Sequence, residues 1–347
     1  KFSSFLNNNF KFLFKEKLMI SSNNKFSFKL NKKIKLSDLK FQSKITLDKL
    51  QYSNKIFKRF FPEYKKNIEF ENNIITINYN NKDYQINGNS KININGDVDK
   101  FEYSIKKIKK EIFYNFNFEL INSAINFKIL NYTKNKDDKS SLEIKGKYTT
   151  SKNITLENIK FIQDKNLIDI QNIKLNKNMK IKSINHLKVS VLNNNDKLSK
   201  LDIKNDKNNY SINSQIFDGT KLVDEILFSK EEGNFFDLFD NLNTNVSIKV
   251  ATAYLNNEDY LEFVNSNLII KNNKILDLNL LSKFPNNEEF KVSIKTNQNK
   301  EKITTVFTNY AKPLVKKYKF IKGFDGGALD FYSVSKNKIT NSNLKLY

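Results

Sequence analysis

Apolar residues recur at every second position over most of this chain, the periodicity of strands whose side chains alternate between two faces. Ile75, Ile77 and Tyr79 alternate with polar neighbours, and after Asn80-Asn81 the pattern resumes at Tyr84 and Ile86. Asparagine tolerates the positive φ of a tight primed turn, so this stretch predicts a hairpin. Ile92 with Ile94, Phe116 with Phe118, Leu142 with Ile144 and Tyr148, Ile168 with Ile170, and Val246 with Ile248 and Val250 continue in the same style. Leu276, Leu278 and Leu280 follow an Asn272-Asn273 turn. In most of these segments one face is Ile, Leu, Phe or Tyr and the other Lys, Asn, Glu or Ser, which describes antiparallel strands with one dry and one wet face. The predicted fold class is mainly β: a long, curved, twisted antiparallel sheet, a half-pipe or groove, with a few short helices. A two-sheet sandwich satisfies the same alternation. Helices do not alternate regularly with strands, which argues against βαβ units, and no fixed sequence period marks a solenoid.

Helical spacing interrupts the strands in two regions. After Asp218, an N-cap residue type, Leu222, Val223, Ile226 and Leu227 share one face, and Phe235, Phe236, Leu238, Phe239 and Leu242 repeat the pattern after Gly233. Near the end, Ala311, Leu314, Val315 and Tyr318 take the i, i+3, i+4, i+7 spacing of a short amphipathic helix. The polar run Asn205 to Asn209 suggests a division there: 1–205 as a repetitive antiparallel sheet region, and 206–347 as a β region with helical inserts. The chain begins and stops in mid-pattern, which reads as a piece of something longer.

Composition removes most enzymology. The 347 residues include no cysteine and one histidine, His186, so disulfides, iron–sulfur clusters, Cys-based zinc sites and thiol catalysis drop out, and no metal or cofactor is expected. Eight Gly and three Pro are too few for a system of phosphate-cradling loops. A net charge of +23 invites a nucleic-acid partner, but of 60 basic residues only Arg59 is the arginine that bidentate phosphate and base contacts favour. The lysines are scattered in short clusters such as Lys106, Lys107, Lys109 and Lys110, or Lys316, Lys317 and Lys319, instead of forming one stripe. Lys, Asn, Ile, Phe and Tyr are also what an A/T-rich coding sequence over-supplies. No nucleic-acid partner is expected. Phe10 to Ile20 is the greasiest opening, yet Lys11, Lys15 and Lys17 interrupt it, so it matches neither a membrane-spanning helix nor a secretory signal.

Candidate chemistry is sparse. His186 stands alone, without a second His or Cys to complete a metal site or dyad. Glu231-Glu232 and Glu288-Glu289 are adjacent pairs, and neighbours on a strand point to opposite faces. Asp325 is a single carboxylate, and Gly323 to Gly327 lack the spacing of a nucleotide-binding loop.

The order of elements from Tyr210 onward is distinctive. Tyr210 to Gly219 (YSINSQIFDG) makes a strand entering an acid-capped helix; alternating strands then lead to Phe307 to Tyr318 (FTNYAKPLVKKY) and to Ile321 to Phe331 (IKGFDGGALDF). This resembles the C-terminal region of the AsmA-like envelope proteins, in which a short helix is followed by a GG-bearing strand and then a final strand. Gly323, Gly326, Gly327 and Leu329 match the GG strand with Phe331, and Leu344 to Leu346 match the start of the last strand; Asn309, Tyr310 and Lys312 depart from the family pattern. The resemblance covers about residues 210–347. It implies a bridge-like lipid-transfer protein with no enzymatic activity, in the periplasm of a Gram-negative bacterium and attached to the inner membrane through an anchor outside this piece. The implied cargo is phospholipid, with outer-membrane or periplasmic proteins as further partners. Candidate groove-lining residues are Ile92, Ile94, Phe116, Phe118, Leu142, Ile144, Ile168, Ile170, Val246, Ile248, Leu276 and Leu278. The competing class is a structural or adhesive β-rich surface protein whose apolar faces are sealed against each other.

Overall fold

The computed structural model describes residues 19–54, 57–58, 60–65, 67–149, 154–221, 235–318, 326–336 and 339–347. The protein is mainly β with few short helices, as the alternation predicts. The described residues fall into two compact units, 19–127 with 133–164, and 128–132 with 165–347. The chain thus changes unit at Asp164–Lys165, whereas Asn205–Asn209 belongs to a tight hairpin inside the second unit.

The first unit is an antiparallel meander of β1 (Ile20–Leu30), β2 (Leu36–Tyr52), β3 (Ile68–Asn80), β4 (Asp83–Ile94), β5 (Asp97–Ile108), β6 (Glu111–Leu120), β9 (Ser140–Thr149) and β10 (Ile154–Gln163). Each strand pairs with the next. The short β7 (Ile125–Phe127) and β8 (Tyr132–Lys134) lie in the connection after β6. Turns of two residues join many of the strands. Asn81-Lys82 has φ of 45° and 85°, and Asn95-Gly96 has 53° and 101°. These are the paired left-handed values of the primed turn, whose twist matches that of the strands. The Asn80-Asn81 turn of the sequence reading is therefore centred one residue later.

Glycine is used here for closeness. A Cβ on Gly88 would lie 2.3 Å from the Tyr103 ring on the neighbouring strand, and one on Gly146 would lie 2.5 Å from the Tyr114 hydroxyl. Gly88 pairs with Tyr103 and Gly146 with Tyr114, so each ring lies across the backbone of the strand beside it. The Tyr114 hydroxyl reaches on to donate to the Thr155 carbonyl of β10 at 3.2 Å. Burial, with the nearby Glu157 carboxylate, pushes this phenol up to about 12.

The second unit runs β11 (Asn166–Leu175), β12 (Ile181–Leu192), β13 (Leu198–Asp206), β14 (Asn209–Asp218), β15 (Thr244–Tyr254), β16 (Tyr260–Lys271), β17 (Lys274–Lys283), β18 (Glu289–Thr296), β19 (Lys302–Thr308), β20 (Leu329–Lys336) and β21 (Ile339–Leu346). The pairing follows chain order and is antiparallel except between β14 and β15, which run parallel. That one crossover departs from the all-antiparallel expectation. It arises where the chain leaves β14 through a helical start at Thr220 and returns before β15, a path long enough to reverse direction. Asn272-Asn273 forms the expected turn, with φ of 50° and 60°.

The helical expectations divide. The helix α1 (Lys312–Tyr318) forms, with Ala311, Leu314 and Val315 buried. Thr220 N–H donates to Asp218 Oδ1 at 3.0 Å, the N-cap contact expected of Asp218, while Leu222, Val223, Ile226 and Leu227 lie outside the described residues. Phe235–Leu238 is a single 3-10 turn instead of an amphipathic helix, and Phe239 leaves it to make an isolated bridge with Ile181. Gly327, at φ 91°, is a turn residue before β20, and its carbonyl accepts from Ala311 N–H at 2.9 Å. Gly326 lies beside it, and Gly323 lies outside the described residues. Leu344–Leu346 closes β21 instead of opening a further strand.

Replacing Gly88 by Val forces the Tyr103 ring off its neighbour, and we expect a loss of about 1–3 kcal/mol in chemical denaturation, the usual cost of overpacking. The same substitution in a Tyr103→Leu background should cost measurably less. Equal costs in the two backgrounds would show that the ring does not need the glycine.

Candidate functional site

Through the middle of the strands the register sorts side chains by face. In the second unit one row of directly paired residues crosses all eleven strands: Ile170, Leu187, Ile203, Ile212, Ile248, Ser266, Leu280, Val292, Val306, Phe331 and Leu344. Ser266 is its single polar member. One residue along each strand, on the opposite face, the corresponding row reads Gln171, His186, Lys204, Ser211, Ser247, Asn267, Asn279, Ser293, Thr305, Tyr332 and Asn343. A one-residue shift of any strand would exchange the two sets. Leu281 and Phe307 on the polar face, and Phe263 at a bulge, are exposed exceptions.

The first unit is built alike. Ile45, Ile75, Gly88, Tyr103, Phe116, Ile144 and Ile159 form one row, and Phe101, Phe118, Leu142 and Phe161 the next. Phe101 stacks on Phe118 with centroids 4.6 Å apart, and Tyr114 stacks on Phe116 at 5.4 Å. Offset stacks of this kind add roughly 0.5–1.5 kcal/mol each beyond the area they bury.

These apolar rows are neither sealed nor bare. Leu187, Ile203, Ile212, Ile248, Leu280, Val292, Val306 and Phe331 all have intermediate exposure, whereas a sandwich interior would bury them. Burial is complete at one end of the first unit and at both ends of the second, where Leu175, Phe239, Val246 and Ile270 are buried at the end of the strands away from α1. In the second unit, α1 brings Leu314 and Val315 into a cluster with Phe217, Val250, Val264, Phe284, Phe290 and Leu329. Lys317 Nζ fastens the helix to the Leu255 carbonyl at 3.0 Å. In the first unit, Phe57, Phe61 and Tyr64 from the β2–β3 connection pack on Ile68, Ile92 and Ile94.

All twelve groove candidates lie in strands, but their surroundings differ. Phe116, Phe118, Leu142, Ile144, Ile170, Ile248, Leu276 and Leu278 are half-buried. Ile92 and Ile94 are buried under the aromatic cap of the first unit, and Ile168 and Val246 are also buried. The register adds residues that were not singled out before, chiefly Tyr103, Tyr114, Leu187, Ile203, Ile212, Val292 and Val306. Their alternation was visible; which strand lay beside which was not.

Buried charges are the usual markers of chemistry, and here each is enclosed by structural partners. Asp99 accepts from the backbone N–H groups of Ile121, Asn122 and Ser123 at 2.7–2.9 Å. Lys134, fully buried, donates to the Ile121 and Ser123 carbonyls, and burial pushes its ammonium below the usual lysine range. Asp218 accepts from the side-chain amides of Asn131, Asn193 and Asn195. Burial opposes its charge, but these donors and Thr220 outweigh it and hold the carboxyl below the ordinary value of 3.8. His186 Nε2 meets Asp202 Oδ1 at 2.5 Å on the polar face, and Lys204 takes the other oxygen. Glu289 pairs with Lys291, while Glu231, Glu232 and Asp325 lie outside the described residues. A shallow depression of about 950 Å³ on the polar face, lined by Lys188, Lys200, Lys249 and Asp202, brings no nucleophile and base together. Among the described residues no group of three or more His, Cys, Asp or Glu side chains gathers as a metal site, and no helix is long and apolar enough to cross a membrane.

Comparison with protein families, with curated proteins and with solved structures finds no match to this chain. The apolar faces are thus the candidate site on their own geometry.

Because the Asp218 carboxyl titrates below its ordinary value in the folded state, its contribution to stability is complete above pH 3.8 and is lost as pH falls through the lower folded value. Asp218→Asn should cost about 1–3 kcal/mol at neutral pH by leaving buried donors unmatched. The gap between variant and wild type in urea midpoint should then close on acidification below 3.8. A gap independent of pH would show that the charge is not what the asparagines hold.

Proposed function

We propose that the apolar faces carry lipid acyl chains, as a non-enzymatic conduit for phospholipid between the inner and outer membranes of a Gram-negative envelope. The observation that carries this reading is the half-exposed apolar row spanning the eleven strands of the second unit. Contiguous apolar surface left open to water is costly, at about 25 cal/mol per Å², and is retained where something apolar covers it. An acyl chain suits a continuous row because each methylene gains about 0.8 kcal/mol on leaving water, wherever along the row it lies. Such a surface binds strongly in sum and weakly per step, which lets a chain slide. The resemblance of residues 210–347 to the AsmA-like proteins supports the periplasmic setting, with attachment to the inner membrane outside this piece and contacts to outer-membrane or periplasmic proteins. Its short helix before a GG-preceded strand corresponds to α1 and β20 here.

The test is lipid recovery. Protein purified without strong detergent should carry phospholipid detectable by mass spectrometry. Ile248→Asp with Leu280→Asp, on the apolar row, should lower recovery at least tenfold. Ser247→Asp with Asn279→Asp, one residue away on the polar face, should leave it unchanged. Equal recovery from the two pairs, with both proteins folded by circular dichroism, would exclude the row as the binding surface. Absence of lipid from wild type would favour the structural or adhesive class.

A further inference from the structure

The apolar face of the second unit changes character along its strands. From the α1 end outward, β18 to β21 present first Phe290, Thr308, Leu329 and Leu346, then Val292, Val306, Phe331 and Leu344. The next row is Ile294, Thr304, Ser333 and Ser342, and the last is Thr296, Lys302, Ser335 and Thr340. Hydrocarbon gives way to hydroxyls and one ammonium within about 20 Å, taking roughly 3.3 Å per residue from Thr308 to Lys302.

Lys302 is the unusual member. It shares the face of Thr304 and Val306, is half-buried, and has no ion-pair partner among the described residues. Glu301, its chain neighbour, is already engaged by Lys336 at 3.1 Å and by the Asn297 amide at 2.8 Å. Burial pushes the Lys302 ammonium below the ordinary lysine range, with no carboxylate raising it back. A lysine whose stem lies along apolar surface ordinarily carries its charge out to water. Here the residues paired with Lys302 on either side are Thr296 and Ser335, and the Ser335 and Thr340 hydroxyls lie 2.8 Å apart. Donors gathered at the end of an apolar strip, without a resident anion, match an amphiphile's polar end.

We propose that the row Thr296, Lys302, Ser335 and Thr340 seats the anionic headgroup of an amphiphile, a carboxylate or a phosphate ester, whose acyl chain crosses the apolar rows toward α1. This inference rests on the acyl-chain reading of the apolar face and adds to it a direction and a headgroup class. The span is adequate: half of a bilayer core of about 30 Å is roughly the length of one leaflet's chains, shorter than the distance from Lys302 to the α1 end. The bare ammonium would gain a charge-assisted partner, and such bonds are about twice as strong as neutral ones.

The experiment is displacement of a fluorescent acyl probe from the full chain by oleate, dioleoyl phosphatidylglycerol and uncharged oleyl alcohol. Wild type should prefer one or both anionic competitors to the alcohol by about tenfold. Lys302→Met, which keeps the stem and removes the charge, should lose that preference, and Lys302→Arg should retain it. Lys295→Met, on the polar face, should retain it as well. The oleate and phosphatidylglycerol arms separate a carboxylate seat from a phosphate seat. Wild type binding all three alike, or Lys302→Met keeping the preference, overturns the headgroup seat and leaves the acyl-chain reading standing. Failure of every amphiphile to displace or bind overturns both.

Discussion

Phase is the constraint on which everything else in this protein depends. A strand exposes alternate residues to opposite sides, so a face stays apolar across many strands only if each turn hands the alternation to the next strand without slipping. Two-residue turns with both residues left-handed do this, and here they are made from asparagine and lysine much more than from glycine. Asn81, Asn95, Asn208, Asn272 and Asn273 all take positive φ, a conformation in which asparagine is several-fold enriched among non-glycine residues. With only eight glycines in the chain, the abundance of asparagine has a structural use as well as a compositional origin.

Once phase is fixed, the energetics differ from those of an ordinary core. The apolar face is covered by α1 at one end of the second unit and by Phe57, Phe61 and Tyr64 at one end of the first, and the second unit also buries Phe239, Val246 and Ile270 at its other end. Those ends supply the dense packing that a single sheet layer lacks, and the buried carboxylates Asp99 and Asp218 secure the loops beside them through backbone and amide donors. Between these buried clusters the half-exposed rows are held mainly by cross-strand pairs, worth a few tenths to one kcal/mol apiece. Dense packing is concentrated in these clusters, and the rows between them stay half-exposed.

The strands and the two-faced character were legible because period-two alternation is local. Asn272-Asn273 was legible as a turn for the same reason, and α1 because Ala311, Leu314 and Val315 keep helical spacing. The parallel pairing of β14 and β15 was not, since it depends on where the chain returns after a long excursion. Phe57, Phe61 and Tyr64 carry no signal as a cap: they sit in irregular turns around Pro62, with neither period. Lys302 was hidden for another reason. In β19 both faces hold apolar side chains, Val306 on one and Ile303 and Phe307 on the other, so only the register with Val292 and Phe331 says which side the lysine shares.

Tight two-residue turns also make this architecture extensible. Inserting or deleting a whole hairpin preserves parity, so the apolar strip can lengthen or shorten by a rung without any other residue changing. A single-residue insertion within a strand would instead invert everything beyond it unless a bulge absorbed the odd residue, as the register shifts beside Asn72 and Phe263 do. Length in such a molecule is therefore a freely adjustable variable for selection, while sequence between the turns can drift widely so long as its alternation is kept.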